Sequence, residues 1–317
     1  MRRLNDIDLK LLRVYAAIVD AGGLVGAQTT LNLSQSTVSS HLAQLERRLG
    51  FKLCYRGRSG FALTRAGQSI YDACTEIFAA ADRFSNTAAS ISGELRGVLR
   101  LGIADAMVSN ATWNLARVLK TFHRRAPNVV IDLSVDSPAV MQRAVLDGAR
   151  DVSIGPFFRR SSGLVYVALF NERHALYCAA DHPIATAGPV TADRLSEYRF
   201  VARRYVQHDD LEWLGAVTIG ATVENMEAQA LLIHSGEFLG LLPVHYAESL
   251  PLLTPLQQVV VQGADEYQSP FYLIHQPAAE ENLLIRNFLG RVRESLTADA
   301  SHQSTGQNRA IPTNRQR

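Results

Sequence analysis

The chain has 317 residues, enough for two or three domains, and its 47% hydrophobic and 20% charged composition is that of a globular protein. No apolar run reaches membrane-span length, and the start, Met1-Arg2-Arg3-Leu4-Asn5-Asp6, lacks an apolar signal core, so a cytoplasmic protein is expected. Net charge is +2 but uneven: residues 1–64 hold nine Lys/Arg against four Asp/Glu, a surplus of +5 that suits one module meeting a polyanion.

Residues 8–20 carry Leu9, Leu11, Leu12, Val14, Tyr15, Ile18 and Val19 in a helical pattern that Ala21-Gly22-Gly23 stops. A short helix is predicted over 24–31, then a turn at Asn32-Leu33. Ser34 caps a third helix whose apolar residues Val38, Leu42, Leu45 and Leu49 recur at spacings of four, three and four. Three helices in quick succession, the last two joined by a tight turn, have helix-turn-helix spacing. The polar start of the third helix offers Gln35, Ser36, Ser39, Ser40 and His41, the small donors and acceptors that a recognition helix presents to base edges and phosphates.

Phe51 to Thr64 reads as two apolar runs around a Gly/Arg/Ser tip, a β-hairpin wing with Arg56 and Arg58 at its end. Thr64 opens a long helix to about Ser92. In it Ile70, Ile77, Phe84 and Ile91 are spaced by sevens, and Cys74, Ala81 and Ala88 follow the first three at four residues. That seam suits a dimerising linker helix; packing on the chain's own globular domain is the alternative. After a break at Gly93–Gly97, strands at 98–103, 129–135 and 152–155 alternate with helices at 113–123 and 140–147, which implies parallel pairing. A second set follows: strands at 164–170, 175–179, 200–201, 221–223 and 239–242, with helices near 193–196 and over 226–234. A strand at 271–275 and a helix at 280–296 close the fold. Two α/β lobes with a crossover enclose a cleft, the usual place for a small ligand. The polar stretch 298–317 reads as a disordered tail.

Several chemistries are excluded. Cys54, Cys74 and Cys178 are widely spaced and belong to no Cys/His cluster, so a reduced protein without a structural metal is expected. Lys10, Lys52 and Lys120 are the only lysines, which leaves no Schiff-base lysine after residue 120, and no Gly-rich loop ends in Gly-Lys-Ser/Thr. No cofactor is implied.

Over roughly residues 7–296 the chain resembles the LysR-type transcriptional regulators, most specifically from Leu24 through Thr64. The pattern Leu31-x-x-Ser34-Gln35-x-x-Val38-Ser39-x-x-Leu42-x-x-Leu45-Glu46-x-x-Leu49-Gly50, followed by Leu53, Arg56, Leu63-Thr64 and Ala66-Gly67, matches the family signature. Weaker marks are Leu99-Arg100-Leu101-Gly102, Leu146 to Val152, His182-Pro183-Ile184 and Gly236 to Pro243. The resemblance implies a winged helix-turn-helix over 7–64 (helix-turn-helix about 23–42), a linker helix over 65–93, and an effector domain over 97–296. That domain would be a two-lobed α/β body resembling type 2 periplasmic binding proteins. It also implies a homotetramer built from dimers, dyad-symmetric duplex DNA with DNA bending, a small-molecule effector and RNA polymerase as partners. The departures are Gly23-Leu24 where the family has Ser-Phe, Ala27-Gln28 for Ala-Ala, Ser40 for a basic residue, and Cys54 for the wing Phe.

The DNA-contacting residues expected on this reading are Gln28, Ser34, Gln35, Ser36, Thr37, Ser39, Ser40 and His41, with Arg56 and Arg58 on the wing. Ser34 as a simple cap, and Val38 and Leu42 as packing, are equally expected. Effector contacts are expected from Asp105, Ala106 and Met107 at a helix N-terminus, and from Ser137, Phe157, Arg203 and Asn225. The family often has Ser or Thr near Ala106; Asp105 instead brings a negative charge, either as N-cap or as ligand contact. The competing assignments are an enzyme tethered to DNA, with His174, Cys178 and Asp181 as the tempting trio, and a transport-type binding protein.

Overall fold

Local signals bound the first three helices, α1 (Asp6–Asp20), α2 (Leu24–Leu31) and α3 (Gln35–Leu49). Asn5 and Asp8 form a reciprocal capping box on α1. Gly23 opens α2 at φ +146°, which side chains resist; this accounts for glycine where a hydroxyl cap is usual. Asn32 closes α2 in the left-handed region at φ +51°, so the chain turns at once into α3. Gly50 ends α3 the same way, at φ +87°. In this computed structural model residues 5–57, 60–91, 95–206, 210–211, 214–215, 217–263 and 267–306 are described. Contacts divide the chain into two units, Met1–Phe84 and Ser85–Arg317.

In the first unit the apolar faces of α1 and α3 meet around Tyr15, Ile18, Val38, Leu42 and Leu45, all buried. The wing is an antiparallel pair, β1 (Cys54–Gly57) and β2 (Gly60–Leu63), in register Cys54↔Leu63. Buried Glu46 ties α3 to the wing: it accepts from Lys52 Nζ at 2.8 Å and from Leu53 N at 3.0 Å. Helix α4 (Arg65–Ile91) starts against this core. The Thr64 hydroxyl accepts from Gly67 N at 2.8 Å, and Tyr15 Oη donates to Gly67 O at 2.9 Å. The heptad seam divides. Cys74 is buried in the winged core and Ile70 and Ile77 pack against it, whereas Phe84 and Ile91 are 75% and 85% exposed.

The second unit begins with β3 (Arg96–Ile103), α5 (Leu115–Arg125), β4 (Asn128–Val135), α6 (Pro138–Leu146) and β5 (Val152–Gly155). β3 is parallel to both β4 and β5, as the alternation requires. Next come β6 (Val165–Cys178), α7 (Ala192–Leu195), β7 (Arg199–Arg203), β8 (Thr218–Val223), α8 (Met226–His234), β9 (Gly240–Pro243), α9 (Val244–Ser249), β10 (Gln257–Val259), β11 (Tyr267–His275) and α10 (Leu283–Gly306). The main sheet runs β10-β6-β11-β5-β3-β4, with β9 also on β6. It is mixed, because β11 is antiparallel to both β5 and β6.

The two strands predicted at 164–170 and 175–179 are one strand, β6. Its polar middle, Asn171-Glu172-Arg173, pairs with Pro270, Ser269 and Gln268 of β11. β6 and β11 pass between two cores. One holds Leu99, Trp113, Phe122, Phe288 and their neighbours; the other holds Phe200, Leu211, Leu239 and Leu241 beside a small cluster around Ile233 and Leu242. These are the two lobes. α10 runs to Gly306, so the helix extends past residue 296 into the stretch read as a tail; residues 307–317 lie outside the described residues.

Candidate DNA-reading face and interlobe cleft

Ser34 takes an extended conformation (ψ 152°) at the N-cap of α3, and its Oγ accepts from Thr37 N at 3.2 Å. The same oxygen lies 2.8 Å from both Ser36 Oγ and Thr37 Oγ1. These three hydroxyls therefore brace one another and hold the first turn. Gln35 and Ser40 are exposed and make no side-chain hydrogen bond among the described residues, so their polar groups are available to a ligand. Ser39 and His41 are half-buried, and His41 Nδ1 has no partner among the described residues. Gln28 is half-buried on α2, while its carbonyl receives the Leu33 amide at 3.2 Å and so closes the turn. At the far end of α3 Arg48 pairs with buried Asp8 of α1; its Nη2 donates to Asp8 Oδ2 at 3.0 Å. Arg56 stands in β1 opposite Phe61, and Arg58 lies outside the described residues. Cys54 fills the wing Phe position as a buried core residue.

The second site is a cavity of about 330 Å³ between the lobes. The end of β3 supplies Ala104 and Asp105, the β4–α6 junction supplies Asp136 and Ser137, and the other lobe supplies Tyr205, Glu224 and Asn225. Of the expected effector contacts, Asp105, Ser137 and Asn225 thus come together. The others do not line the cavity. Ala106 and Met107 begin a short 3-10 turn, with Ala106 at φ +58°, and Met107 is buried. Phe157 is buried in the core of the first lobe. Arg203 is 1% exposed and ion-paired with equally buried Asp210, Nη2 to Oδ2 2.6 Å. Its guanidinium carbon lies 5.9 Å from the centre of the ring of cavity-lining Tyr205.

Asp105 does not cap a helix of its own. Its carboxylate crosses the cleft and accepts from Met226 N, the first amide of α8, while Asn225 caps the same helix by accepting from Ala228 N at 2.8 Å. Burial pushes the Asp105 carboxyl above its usual range, partly offset by the Met226 amide. Burial also pushes the Tyr205 phenol up to about 12. Behind the cleft a second network joins the lobes. Glu172 of β6 lies 3.0 Å from His174 Nε2 and 3.0 Å from His245 Nε2, and His245 Nδ1 lies 2.9 Å from Ser109 Oγ. Burial alone would raise Glu172, but the two imidazoles outweigh it and hold the carboxyl down to about 2. Sequence spacing gives no sign of a contact among residues 109, 172 and 245.

The tempting trio of a nucleophile reading does not converge. His174 and Cys178 are four residues apart on one strand, about 13 Å, and burial raises the Cys178 thiol to about 11. Among the described residues there is no metal-ligating cluster and no helix long and apolar enough to cross a membrane.

The sequence matches two family profiles: "Bacterial regulatory helix-turn-helix protein, lysR family" over residues 9–68, and "LysR substrate binding domain" over residues 92–297. The chain belongs to the LysR family of transcriptional regulators. This LysR-family regulator thus has a helix-turn-helix DNA-binding domain and an effector-binding domain, and it is not an enzyme. It is 32% identical over 302 residues to the HTH-type transcriptional activator BauR of Pseudomonas aeruginosa, covering 92% of this chain and 97% of that protein. A probable regulator of Synechococcus elongatus, LrrA, is 28% identical over 269 residues, 80% of this chain and 89% of that one. Among solved structures, full-length CbnR complexed with its target DNA superposes with a TM-score of 0.67 at 19% identity, covering 91% of this chain and 99% of that one. A full-length OxyR variant from Pseudomonas aeruginosa gives 0.59 at 16%, covering 93% and 95%.

Proposed function

We propose that this LysR-family regulator reads a dyad-symmetric duplex in the cytoplasm as a dimer, or as a tetramer built from dimers, with RNA polymerase as its downstream partner. A small molecule held in the interlobe cavity controls it. The observation that carries the DNA reading is the division of labour on α3: Ser34 is spent on the cap, while Gln35 and Ser40 stand exposed and unbonded beside it. An exposed amide there is suited to bidentate pairing with adenine in the major groove. Ser36, Thr37, Ser39, His41 and Gln28 border this tip, and Arg56 and Arg58 bring charge to the wing. Dimerisation is supported by the uncovered half of the α4 seam, Phe84 and Ile91. Effector control is supported by a cavity whose walls come from both lobes, since a ligand that touches both shifts the balance between open and closed arrangements. The CbnR structure, a complex with its target DNA, supports the same use of the shared fold.

DNase footprinting upstream of the gene is the test. Two protected half-sites about one helical turn apart, or a multiple of it, are expected. Protection that Gln35→Ala leaves unchanged would overturn base reading by α3.

A further inference from the structure

The charge of the interlobe cleft narrows its ligand. Three carboxylates face the cavity, from Asp105, Asp136 and Glu224, and among the described residues no Lys, Arg or His lines it. Each carboxylate has a neighbour, and among the described residues only Glu224 is in an ion pair, with exposed Arg204 at 2.7 Å. Asp136 accepts from the Ser134 hydroxyl at 2.6 Å, and Asp105 accepts from the Met226 amide. Buried Arg203 is ion-paired with Asp210, and its charge also favours the ionised forms of Asp105 and Tyr205. Among the described residues Asp105 and Asp136, both half-buried, therefore face the cavity without an ion pair. Burial is the largest influence on the Asp105 carboxyl, and a positive charge joining it would offset that cost.

The seat an anionic effector would use is taken. The N-terminus of α8 faces the cleft with a positive dipole end, and the chain's own Asp105 already occupies its first amide. A free carboxylate entering here would meet the carboxyl groups of Asp105 and Asp136, neither in an ion pair, and displace a tethered one.

We infer that the effector of this regulator carries a primary ammonium group, and that Asp105 is the residue that selects it. This rests on the interlobe cavity being the effector site. The ammonium lies between Asp105 and Asp136, where its donors have two carboxylates within one small chamber. At about 330 Å³ the cavity is at the small end for ligand pockets, so the ligand is a short molecule. Because Asp105 belongs to one lobe through its backbone and binds the other through Met226 N, a cation seated on it is sensed by both. A diamine and an amino acid share this ammonium.

The test uses the full-length protein and two matched series of two to six carbons. One consists of α,ω-diamines and ω-amino acids; the other has carboxylate or hydroxyl in place of the amine. Thermal shift is followed by calorimetry. Binding is expected only in the amine series, with the diamine and amino-acid arms identifying the source. Asp105→Asn is expected to weaken it at least tenfold, and Asp105→Glu to retain most of it. Ser137→Trp, which fills the cavity, removes binding of any cleft ligand. An amine series with no binder overturns the inference. So does carboxylate binding that Asp105→Asn leaves intact; if Ser137→Trp abolishes that binding, the cleft itself still stands as the effector site. Amine binding that survives Ser137→Trp overturns the cleft reading and this inference with it.

Discussion

Replacing Gln35 by Ala separates reading from folding. The Gln35 side chain is exposed and makes no hydrogen bond among the described residues, so its loss removes no internal contact of that kind. Stability is expected to change by no more than about 0.5 kcal/mol. A bidentate amide–adenine pair contributes about 1–3 kcal/mol of discrimination, so specific affinity per half-site falls about 5- to 150-fold. Ser34→Ala is the counterpart. It deletes the acceptor for Thr37 N and the centre of the three-hydroxyl brace, costing about 1 kcal/mol of stability. Ser34→Asp retains the cap. The assay is a gel shift at fixed salt on the operator and on a random duplex of equal length, beside urea denaturation of each variant. Gln35→Ala is expected to lose operator binding and keep random-duplex binding, which rests on phosphate contacts. Equal loss on both duplexes, or a large drop in stability, refutes the assignment.

Three further outcomes follow from the buried polar groups. Tyr15→Phe removes the phenol donor to Gly67 O and is expected to cost about 1 kcal/mol in urea denaturation of the full chain, the usual worth of a buried hydrogen bond. Arg203→Met takes the cation from buried Asp210 and is expected to cost about 3–5 kcal/mol, with Met at both positions recovering much of it; a stable single variant with altered ligand affinity would return Arg203 to the ligand contacts. Glu172 has its folded carboxyl held down to about 2 against 4.5 ordinarily, so its stabilisation is fully present above about 4.5 and is lost as pH falls towards 2. That contribution is at most about 3 kcal/mol, and Glu172→Gln should remove it and flatten acid unfolding over that interval.

The winged module was legible because its signals are local. Ser34, Asn32 and Gly50 mark helix ends by their own backbone preferences, and the apolar period of α3 is short-range. The heptad seam was legible as a period but not as two environments, since only packing shows that Cys74 is covered and Phe84 is not. The long β6 was hidden because Asn171-Glu172-Arg173 interrupts the apolar run; Glu172 is buried there with His174 and the sequence-distant His245 as hydrogen-bond partners. Nothing in the sequence pairs Arg203, named among the candidate effector contacts, with Asp210. Asp105 was readable as an unusual charge at the first strand's end. Its actual partner, the α8 amide, and its companions Asp136 and Glu224 come from distant segments that only the folded chain brings together.

The most direct test of sequence-specific reading by α3 is selection of random duplexes by the full-length protein, followed by sequencing. Enrichment of a dyad-symmetric motif is predicted, with half-sites about one helical turn or a multiple apart, and Gln35→Ala is predicted to lose it. Recovery of no shared motif, or of the same motif by the variant, would contradict that reading.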